Sequence, residues 1–339
     1  MVRLAVAGLG DLGKHHCGNI RWSIPNAGLA AVYTRSRQTL DRYCSAHDVP
    51  SGTTDYEDLL DRSDIDAVVI ATPVSTHSDM IIRALRKGKH VFCEKPMGMT
   101  PQEAARVQQE AEAHPELVCM TGFMRRFDPS YLSAKKRIES GAIGKPFMYR
   151  GYSLDKDMGP ESAPERINVN GIWYTEMLVH DIDLARWFLG SDVVNVRAIG
   201  GCYKYPVYGE YGDIDNACTI MEFADRSMAM FFTGRTAPHG SHVETEIIGT
   251  EGMIRINPIP VRDRITWYGT QGVSQECVTD YLERFGEAFR AEVQEFASCI
   301  EHGTKPQMTP YDSRRVTEIA DAAYQAYVTN SMVSCKGDG

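Results

Sequence analysis

The stretch Arg3-Leu-Ala-Val-Ala-Gly8-Leu9-Gly10-Asp11-Leu12-Gly13 joins a short apolar run to a helical segment, Asp11–Trp22. Its glycines have the spacing of the loop that binds dinucleotides between a strand and a helix. The first glycine permits a tight turn, the second lets the backbone approach a pyrophosphate, and the third lets helix and strand pack closely. The free N–H groups of the helix N-terminus would face the anion. We therefore predict cofactor contacts at Gly8, Gly10, Leu12 and Gly13.

The alternation of strand and helix continues over the first 120 residues. Further apolar runs occur at Leu29–Tyr33, Asp66–Ala71, His90–Cys93 and Leu117–Thr121, with helical spacing between them. Strands without interrupting polar residues, separated by helices of about 10–15 residues, indicate a parallel sheet that is covered on both faces.

After residue 122 the order of the predicted elements changes to an α+β pattern. Asp128–Ser140 and Tyr174–Leu189 have helical spacing, Val194–Tyr268 is typical of successive antiparallel strands, and two helices close the chain. The predicted fold is an α/β Rossmann dinucleotide-binding domain, residues 1–122, plus an α+β domain, residues 123–339, with a large open, mostly antiparallel sheet. The alternative that the two closing helices pack back on the first domain stays open. Asp157–Pro164 is predicted to be a loop of functional length.

Composition excludes several classes of protein. The chain has 339 residues, 43% of them hydrophobic, and a formal net charge of -9, which disfavours nucleic acid or an anionic membrane as a partner. No run approaches the roughly 20 apolar residues of a spanning helix, and the N-terminus lacks the features of a signal peptide. The nine cysteines form no Cys-x-x-Cys pair. Such a set is typical of reduced thiols in a cytoplasmic protein.

The end of the second strand bears on the choice of dinucleotide. An NAD site usually places an acidic residue there, but this chain has Thr34-Arg35-Ser36-Arg37, and the nearest acid is Asp41. A hydroxyl followed by arginines suits a 2′-phosphate, because guanidinium is a fork-shaped donor for phosphate oxygens. The pattern favours NADP(H). NAD(H) stays open, since Arg35 would stack on adenine in either cofactor.

Two groups of residues are candidates for the chemistry. Glu94-Lys95-Pro96 follows an apolar strand, at the sheet edge where open α/β sheets bind their ligands. Glu176 and His180 are spaced i, i+4 on a helix, so they share a face, and a histidine suits proton transfer at neutral pH. A histidine paired with a carboxylate for stability alone is the competing interpretation.

The other histidines do not suggest a metal site. His180 has no histidine or cysteine partner at ligand spacing, so no metal is expected. The pairs His15-His16 and His239-x-x-His242 are predicted to be surface or loop residues.

Taken together and in order, these motifs resemble those of the Gfo/Idh/MocA family of sugar and polyol dehydrogenases. The resemblance rests on Gly8–Gly13, Thr72-Pro73 with His77, Glu94-Lys95-Pro96, Gly122-Phe-Met-Arg-Arg-Phe-Asp-Pro129 and the Glu176…His180-Asp-Ile-Asp183 helix. It extends across essentially the whole chain, and the Met-Arg-Arg-Phe-Asp-Pro segment is most similar to inositol dehydrogenases. Many family members have Asp where this chain has Glu176. Because Glu is one methylene longer than Asp, this difference bears on the expected specificity for inositol.

The resemblance implies a set of roles. His180 is expected to be the general base, assisted by Lys95, with Glu176 orienting the substrate or tuning His180. Met124, Arg125 and Asp155 are expected to line a polyol pocket. Thr72, Pro73, His77, Glu94 and Lys95 are expected to lie along the cofactor. A homo-oligomer, a tetramer or a dimer, is also implied.

The expected function is oxidation of a secondary hydroxyl of a cyclic polyol or sugar, inositol being favoured, by an NAD(P)-dependent dehydrogenase. One alternative is an NADPH-dependent reductase of ketosugars, including nucleotide-linked ones. Another is a regulator of the same fold that senses a cofactor without catalysis. The presence of both Lys95 and His180 counts against the regulator.

Overall fold

The computed structural model describes residues 1–47, 49, 51–157 and 159–335, with the side chains of 162 and 164–166 left aside. It divides into two compact units. The first comprises Met1–Phe127 and Glu287–Thr317, and the second comprises Asp128–Gly286 and Glu318–Gly339. The sequence places a boundary between residues 122 and 123; the division by contacts follows Phe127, and parts of both closing helices belong to the first unit. No helix in these described ranges is long and apolar enough to cross a membrane.

The first unit is built from alternating strands and helices. Their bounds are β1 Val2–Ala7, α1 Asp11–Trp22, β2 Ala27–Tyr33, α2 Arg37–His47, β3 Gly52–Thr53, α3 Tyr56–Leu60, β4 Ala67–Ile70, α4 His77–Arg86, β5 His90–Glu94, α5 Pro101–Ala113 and β6 Cys119–Gly122. Short 3₁₀ turns cover Val74–Thr76 and Met124–Phe127. The six strands are parallel in the order β3-β2-β1-β4-β5-β6, which confirms the predicted Rossmann sheet.

Burial explains why these strands are apolar throughout. All four residues of β4 have 0% exposure, and so do Leu4, Ala5, Val6 and Ala7 of β1, because helices cover both faces of a parallel sheet. The strand order reverses between β1 and β4. At such a switch point the connections leave to opposite faces, and a crevice forms at the carboxyl ends of the strands.

The second unit carries the larger sheet. The remaining bounds are α6 Pro129–Glu139, β7 Pro146–Lys156, α7 Ala163–Asn170, α8 Val179–Leu189, β8 Val193–Gly201, α9 Val207–Glu210, β9 Asn216–Phe223, β10 Met228–Ala237, β11 His242–Gly249, β12 Met253–Ile256, β13 Trp267–Gly269, β14 Gly272–Ser274, α10 Tyr281–His302, α11 Pro310–Val328 and β15 Val333–Ser334. The sheet order is β12-β11-β7-β10-β9-β8-β15. Only the pair β7 and β10 is parallel among these neighbours, which confirms a mostly antiparallel sheet.

Three predictions for the second unit need correction. Asp157–Pro164 is not wholly a loop, since a 3₁₀ turn covers Pro160–Ser162 and α7 begins at Ala163; proline is favoured in a first helical turn. Met158 lies outside the described residues. The helix predicted for Tyr174–Leu189 begins with a π-helical turn, Tyr174–Leu178. The run Val194–Tyr268 is interrupted by α9, and its strand β10 pairs in parallel with β7.

The glycine loop yields a test of stability with its own control. A Cβ at Gly13 would lie 2.0 Å from the carbonyl oxygen of Gly8, whereas a Cβ at Gly10 would meet nothing within 4 Å. Because backbone cannot give way cheaply, we expect Gly13→Val to lower the free energy of unfolding by about 3 kcal/mol or more. We expect Gly10→Val to lower it by only about 1 kcal/mol, because valine is a poorer N-cap than glycine. Chemical denaturation of the purified variants measures both. Equal losses would show that the turn is not packed in this way.

Candidate functional site

The loop after β1 is shaped by two close backbone approaches. Gly8 has φ +105°, and a Cβ there would lie 2.3 Å from the carbonyl oxygen of Ala71. Gly10 is the N-cap of α1 and receives no side-chain cap. The space beside its Cα is open, so a pyrophosphate has room to approach the uncapped N–H groups of the helix. These residues fit a dinucleotide. Leu12 lies half-buried in the first turn of the same helix.

His77 joins the loops that follow β4 and β5. Its Nε2 lies 2.8 Å from the carbonyl oxygen of Thr72, and its Nδ1 lies 2.8 Å from that of Pro96. The ring is buried, and desolvation lowers the pKa of His77, whereas the contacts with the two carbonyl oxygens oppose that shift. The structure therefore brings Thr72, His77 and Pro96 together at the carboxyl edge of the sheet. Pro73 follows Thr72 as the residue before the turn Val74–Thr76.

Lys95 stands directly beyond β5, which ends at Glu94. It is half-buried, and the Lys95–Pro96 bond is cis. Glu94 has a buried side chain, and its Oε1 lies 2.7 Å from Nε2 of His16. The prediction that His16 is a surface residue is wrong, because it lies with Gly13, Cys17 and Ile20 on the buried face of α1.

The tip of β2 is open to solvent. Arg35, Ser36 and Arg37 are exposed, and Thr34 is half-buried. The Nε of Arg37 lies 3.0 Å from Oδ1 of Asp41, and Ser36 Oγ accepts a hydrogen bond from the backbone N–H of Thr39. Arg37 is thus partly neutralised by an acid one helical turn further on.

In the second unit, Glu176 and His180 occupy consecutive stretches of one helical segment. Glu176 lies in the π turn and His180 in α8, and they are 9% and 4% exposed. A π turn makes i→i+5 hydrogen bonds and is frequent at functional sites. Neither the i, i+4 spacing nor composition could distinguish this turn from an α-helical one.

Asp181 anchors α8 to β7. Its carboxylate accepts hydrogen bonds from Ser153 Oγ at 2.7 Å and Tyr149 OH at 3.4 Å. A Cβ at Gly151 would lie 2.6 Å from Oδ1 of Asp181, so the glycine allows helix and strand to come close. The position of His180 next in sequence is therefore tied to the sheet.

A buried arginine lies beside Glu176, and the sequence analysis missed it. The Nη2 of Arg235 lies 4.0 Å from Oε2 of Glu176 and 2.8 Å from Oδ2 of Asp213. The guanidinium sits 4.3 Å from the ring centre of Trp173 and 4.4 Å from that of Tyr208. Burial raises the pKa of Asp213, and Arg235 opposes that rise. No local signal could find Arg235, because the packing of β10 against the turn Tyr174–Leu178 brings it to Glu176.

The remaining predicted residues are divided between the units. Met124 and Arg125 lie in the 3₁₀ turn of the first unit and are 5% and 2% exposed. Asp155 is half-buried in β7. His239 is an exposed loop residue as predicted, whereas His242 is half-buried in β11.

Comparison with known families covers both units. Residues 2–123 match the family described as an oxidoreductase family with an NAD-binding Rossmann fold. Residues 131–255 match the GFO/IDH/MocA C-terminal domain.

Individual relatives are similar over nearly their whole length. The chain is 36% identical to scyllo-inositol 2-dehydrogenase (NAD(+)) of Bacillus subtilis, covering 96% of this chain and 94% of that protein. It is 28% identical to myo-inositol 2-dehydrogenase of Thermotoga maritima, covering 95% of each. Scyllo-inositol dehydrogenase from Lactobacillus casei, solved with NAD(H) and scyllo-inositol, superposes with a TM-score of 0.94 at 36% identity over 99% of both chains. The chain belongs to the Gfo/Idh/MocA family of oxidoreductases.

Proposed function

We propose that this protein is an NAD(P)-dependent dehydrogenase that oxidises a secondary hydroxyl of an inositol or a related cyclic polyol. The observation that carries the proposal is Lys95, half-buried directly beyond β5 at the carboxyl edge of a Rossmann sheet whose glycine loop is open at Gly10. The inositol dehydrogenases among its relatives support the substrate class.

The cofactor is proposed to lie across the carboxyl edge of the first sheet. Gly8, Gly10, Leu12 and Gly13 would hold the pyrophosphate at the N-terminus of α1. Thr34, Arg35, Ser36 and Arg37 would meet the adenine ribose, and Thr72, Pro73, His77, Glu94 and Lys95 would flank the nicotinamide end. When bound, a nicotinamide dinucleotide supplies the acceptor for the hydride that leaves the carbinol carbon.

The chain itself supplies the proton chemistry. His180 removes the hydroxyl proton as general base, and Nζ of Lys95 donates a hydrogen bond to the oxygen that develops alkoxide character. Glu176, held beside Arg235 and Asn170, orients substrate hydroxyls or tunes His180. Met124, Arg125 and Asp155 are proposed to contact the polyol.

The choice between NADP(H) and NAD(H) has support on both sides. The exposed Arg35 and the absence of an acid among residues 34–37 favour NADP(H), as the sequence predicts. The pairing of Arg37 with Asp41 removes part of that basic charge. The Bacillus subtilis relative is named for NAD(+), and the Lactobacillus casei enzyme was solved with NAD(H) bound, which favours NAD(H).

Self-association is proposed for the open face of the larger sheet. Ile199, Ile220, Met228 and Met230 are between 41% and 59% exposed on neighbouring strands β8, β9 and β10. An apolar patch of this kind marks an interaction surface. A second copy of the chain, with the same apolar face, is its proposed partner.

A spectrophotometric screen tests the proposed function. Purified protein is given inositols and aldoses with NAD⁺ or NADP⁺, and absorbance from the reduced nicotinamide is followed. Turnover of an inositol supports the proposal. Turnover only in the reverse direction with ketosugars would favour the reductase alternative. Cofactor binding by calorimetry without turnover of any polyol or ketosugar would favour a regulator.

Cofactor choice yields the next prediction. If residues 34–37 cradle a 2′-phosphate, NADP⁺ has the higher kcat/KM, and Arg35→Ala weakens NADP⁺ far more than NAD⁺, because a phosphate–guanidinium contact is lost only with NADP⁺. Steady-state kinetics with both cofactors measure this. Equal losses would mean that Arg35 only stacks on adenine. Gly10→Val, which blocks the loop, should abolish binding of either cofactor.

The role of His180 is tested by pH dependence. We expect His180→Ala to lower kcat by about 10²–10⁴-fold, the range for a general base, and to remove the acidic limb of the pH–rate profile. Cofactor affinity should change little. A variant that kept the acidic limb would show that another group takes the proton, even if its rate were low.

The role of Lys95 is tested by substitutions that change the charge or the shape of its side chain. Lys95→Met keeps the length and removes the ammonium, so we expect it to raise the barrier by about 2–4 kcal/mol, comparable to the loss of an oxyanion donor. The loss should appear mainly in kcat. Lys95→Arg should not restore it, because a planar guanidinium does not replace a compact ammonium. Turnover by the Met variant at a rate near that of the wild type would refute the assigned role.

A further inference from the structure

Three titratable side chains meet inside the first unit, away from the groups assigned to proton transfer. They are His16 on α1, Glu94 at the end of β5 and Glu292 on α10. Their exposed fractions are 0%, 5% and 0%, and one ligand atom from each lies within 4.8 Å of the other two. We call these three residues the buried triad.

The surroundings of the triad are built to hold it. A Cβ at Gly122, on the neighbouring strand β6, would lie 3.3 Å from Oε2 of Glu94, so glycine leaves room for that carboxylate. The ring of His16 makes edge contacts with Phe92 at 5.7 Å and Phe289 at 6.0 Å. Aromatic rings thus enclose the polar groups and raise the cost of any charge that is not compensated.

Glu292 is the member without a compensating contact. Neither of its carboxylate oxygens has a hydrogen-bond partner within the part of the chain that the structure describes, whereas His16 and Glu94 form a pair at 2.7 Å. The titratable groups that face Glu292 are His16 and Glu94. His15, whose ring lies 5.8 Å from Phe289, is the next histidine on α1, and Lys95 follows Glu94. Desolvation, followed by the charge of Glu94, raises the pKa of Glu292 well above its usual range.

Either a proton or a divalent cation would reduce the repulsion between the buried carboxylates of Glu94 and Glu292. Imidazole and carboxylate are ligands for zinc, but a zinc site takes a fourth ligand, from the protein or from water. Among the described residues the group has three members, and Phe92 and Phe289 pack against the imidazole. A proton needs no further ligand and leaves a single negative charge, which His16 already contacts.

We propose that Glu292 carries a proton in the native protein, which leaves the buried triad without a second uncompensated carboxylate, and that the triad thereby holds Glu94 and positions Lys95. Glu94 is the last residue of β5, and Lys95 is the next residue. Contacts that hold the Glu94 carboxylate in place therefore also restrict the position of the Lys95 backbone. The triad also ties that strand end to α1, which begins at the glycine loop. His16, Glu94 and Glu292 are positioning residues. The part that concerns Lys95 rests on the proposed function.

The protonation is tested without any activity measurement. Glu292→Gln is the neutral isostere, and Glu287→Gln, at a 67% exposed side chain on the same helix, is the matched control. Infrared spectra at pH 7 should show the carbonyl band of a protonated carboxylic acid in the wild type and in Glu287→Gln, and its loss in Glu292→Gln. A spectrum unchanged by Glu292→Gln would overturn the proposal.

Stability against pH gives a second readout with a defined sign. Native Glu292 keeps a proton that the unfolded chain releases above about pH 4.3. Wild-type stability therefore falls, through this group, as the pH rises from that value toward the native pKa. The unfolding equilibrium constant of Glu292→Gln relative to wild type should fall by about tenfold per pH unit across this window. Glu287→Gln should show no such slope. Parallel curves for Glu292→Gln and wild type would overturn the proposal.

The positioning of Lys95 is tested by rescue. Glu292→Leu replaces the neutral carboxyl group beside Glu94 by an apolar side chain and should lower kcat by about tenfold or more with KM for the polyol within about threefold. Glu292→Gln, whose neutral amide has the shape and polarity of the protonated acid, should recover most of that kcat. Equal kcat for the Leu and Gln variants would refute the positioning role.

Two further outcomes, a bound metal and a lack of polyol turnover, can be told apart. Elemental analysis that found one divalent metal per chain in the wild type, lost in Glu292→Gln, would replace the proton by a cation and overturn the proposal. If no polyol were turned over, the proposed function would fail. The infrared and stability measurements would still decide whether Glu292 is protonated.

Discussion

Gly8, directly after β1, and Gly13, in the first turn of α1, pack against backbone, and the first unit depends on these contacts. A side chain at Gly8 would collide with Ala71, and one at Gly13 would collide with Gly8 itself. These close approaches set α1 against the sheet and leave its N-terminus open at Gly10. The constraint that shapes the fold thus also creates the place for an anion, because an uncapped helix N-terminus carries free N–H groups.

In the second unit the corresponding constraint is the carboxylate of Asp181. It is fully buried and accepts hydrogen bonds from hydroxyl groups of β7, so a displacement of α8 along the sheet would break hydrogen bonds of a buried polar group. Glu176 and His180 lie on the helical segment that Asp181 holds. Arg235, stacked between two aromatic rings, adds a positive charge next to Glu176. A polar network in the interior therefore supports the residues that we assign to catalysis.

Local patterns were a sound guide where structure is decided within a few residues. The glycine spacing, the apolar strands and the stop signals of helices predicted the Rossmann sheet, and alternation predicted a mostly antiparallel second sheet. The predictions failed where local rules permit more than one outcome. A helical periodicity fits the π turn at Tyr174–Leu178, strands of two or three residues are too short to show alternation, and a proline and glycine segment concealed α7.

The sequence by itself determined the dinucleotide loop, the position of Lys95 at a strand end and the placement of Glu176 and His180 on one helical segment, because each follows from chain geometry over a few residues. Tertiary structure alone decided that His16 is buried against Glu94, 78 residues away, that Glu292 joins them, and that Arg235 lies beside Glu176. Those contacts join side chains from separate elements. Their energies come from desolvation and charge in the interior, which no single stretch of sequence encodes.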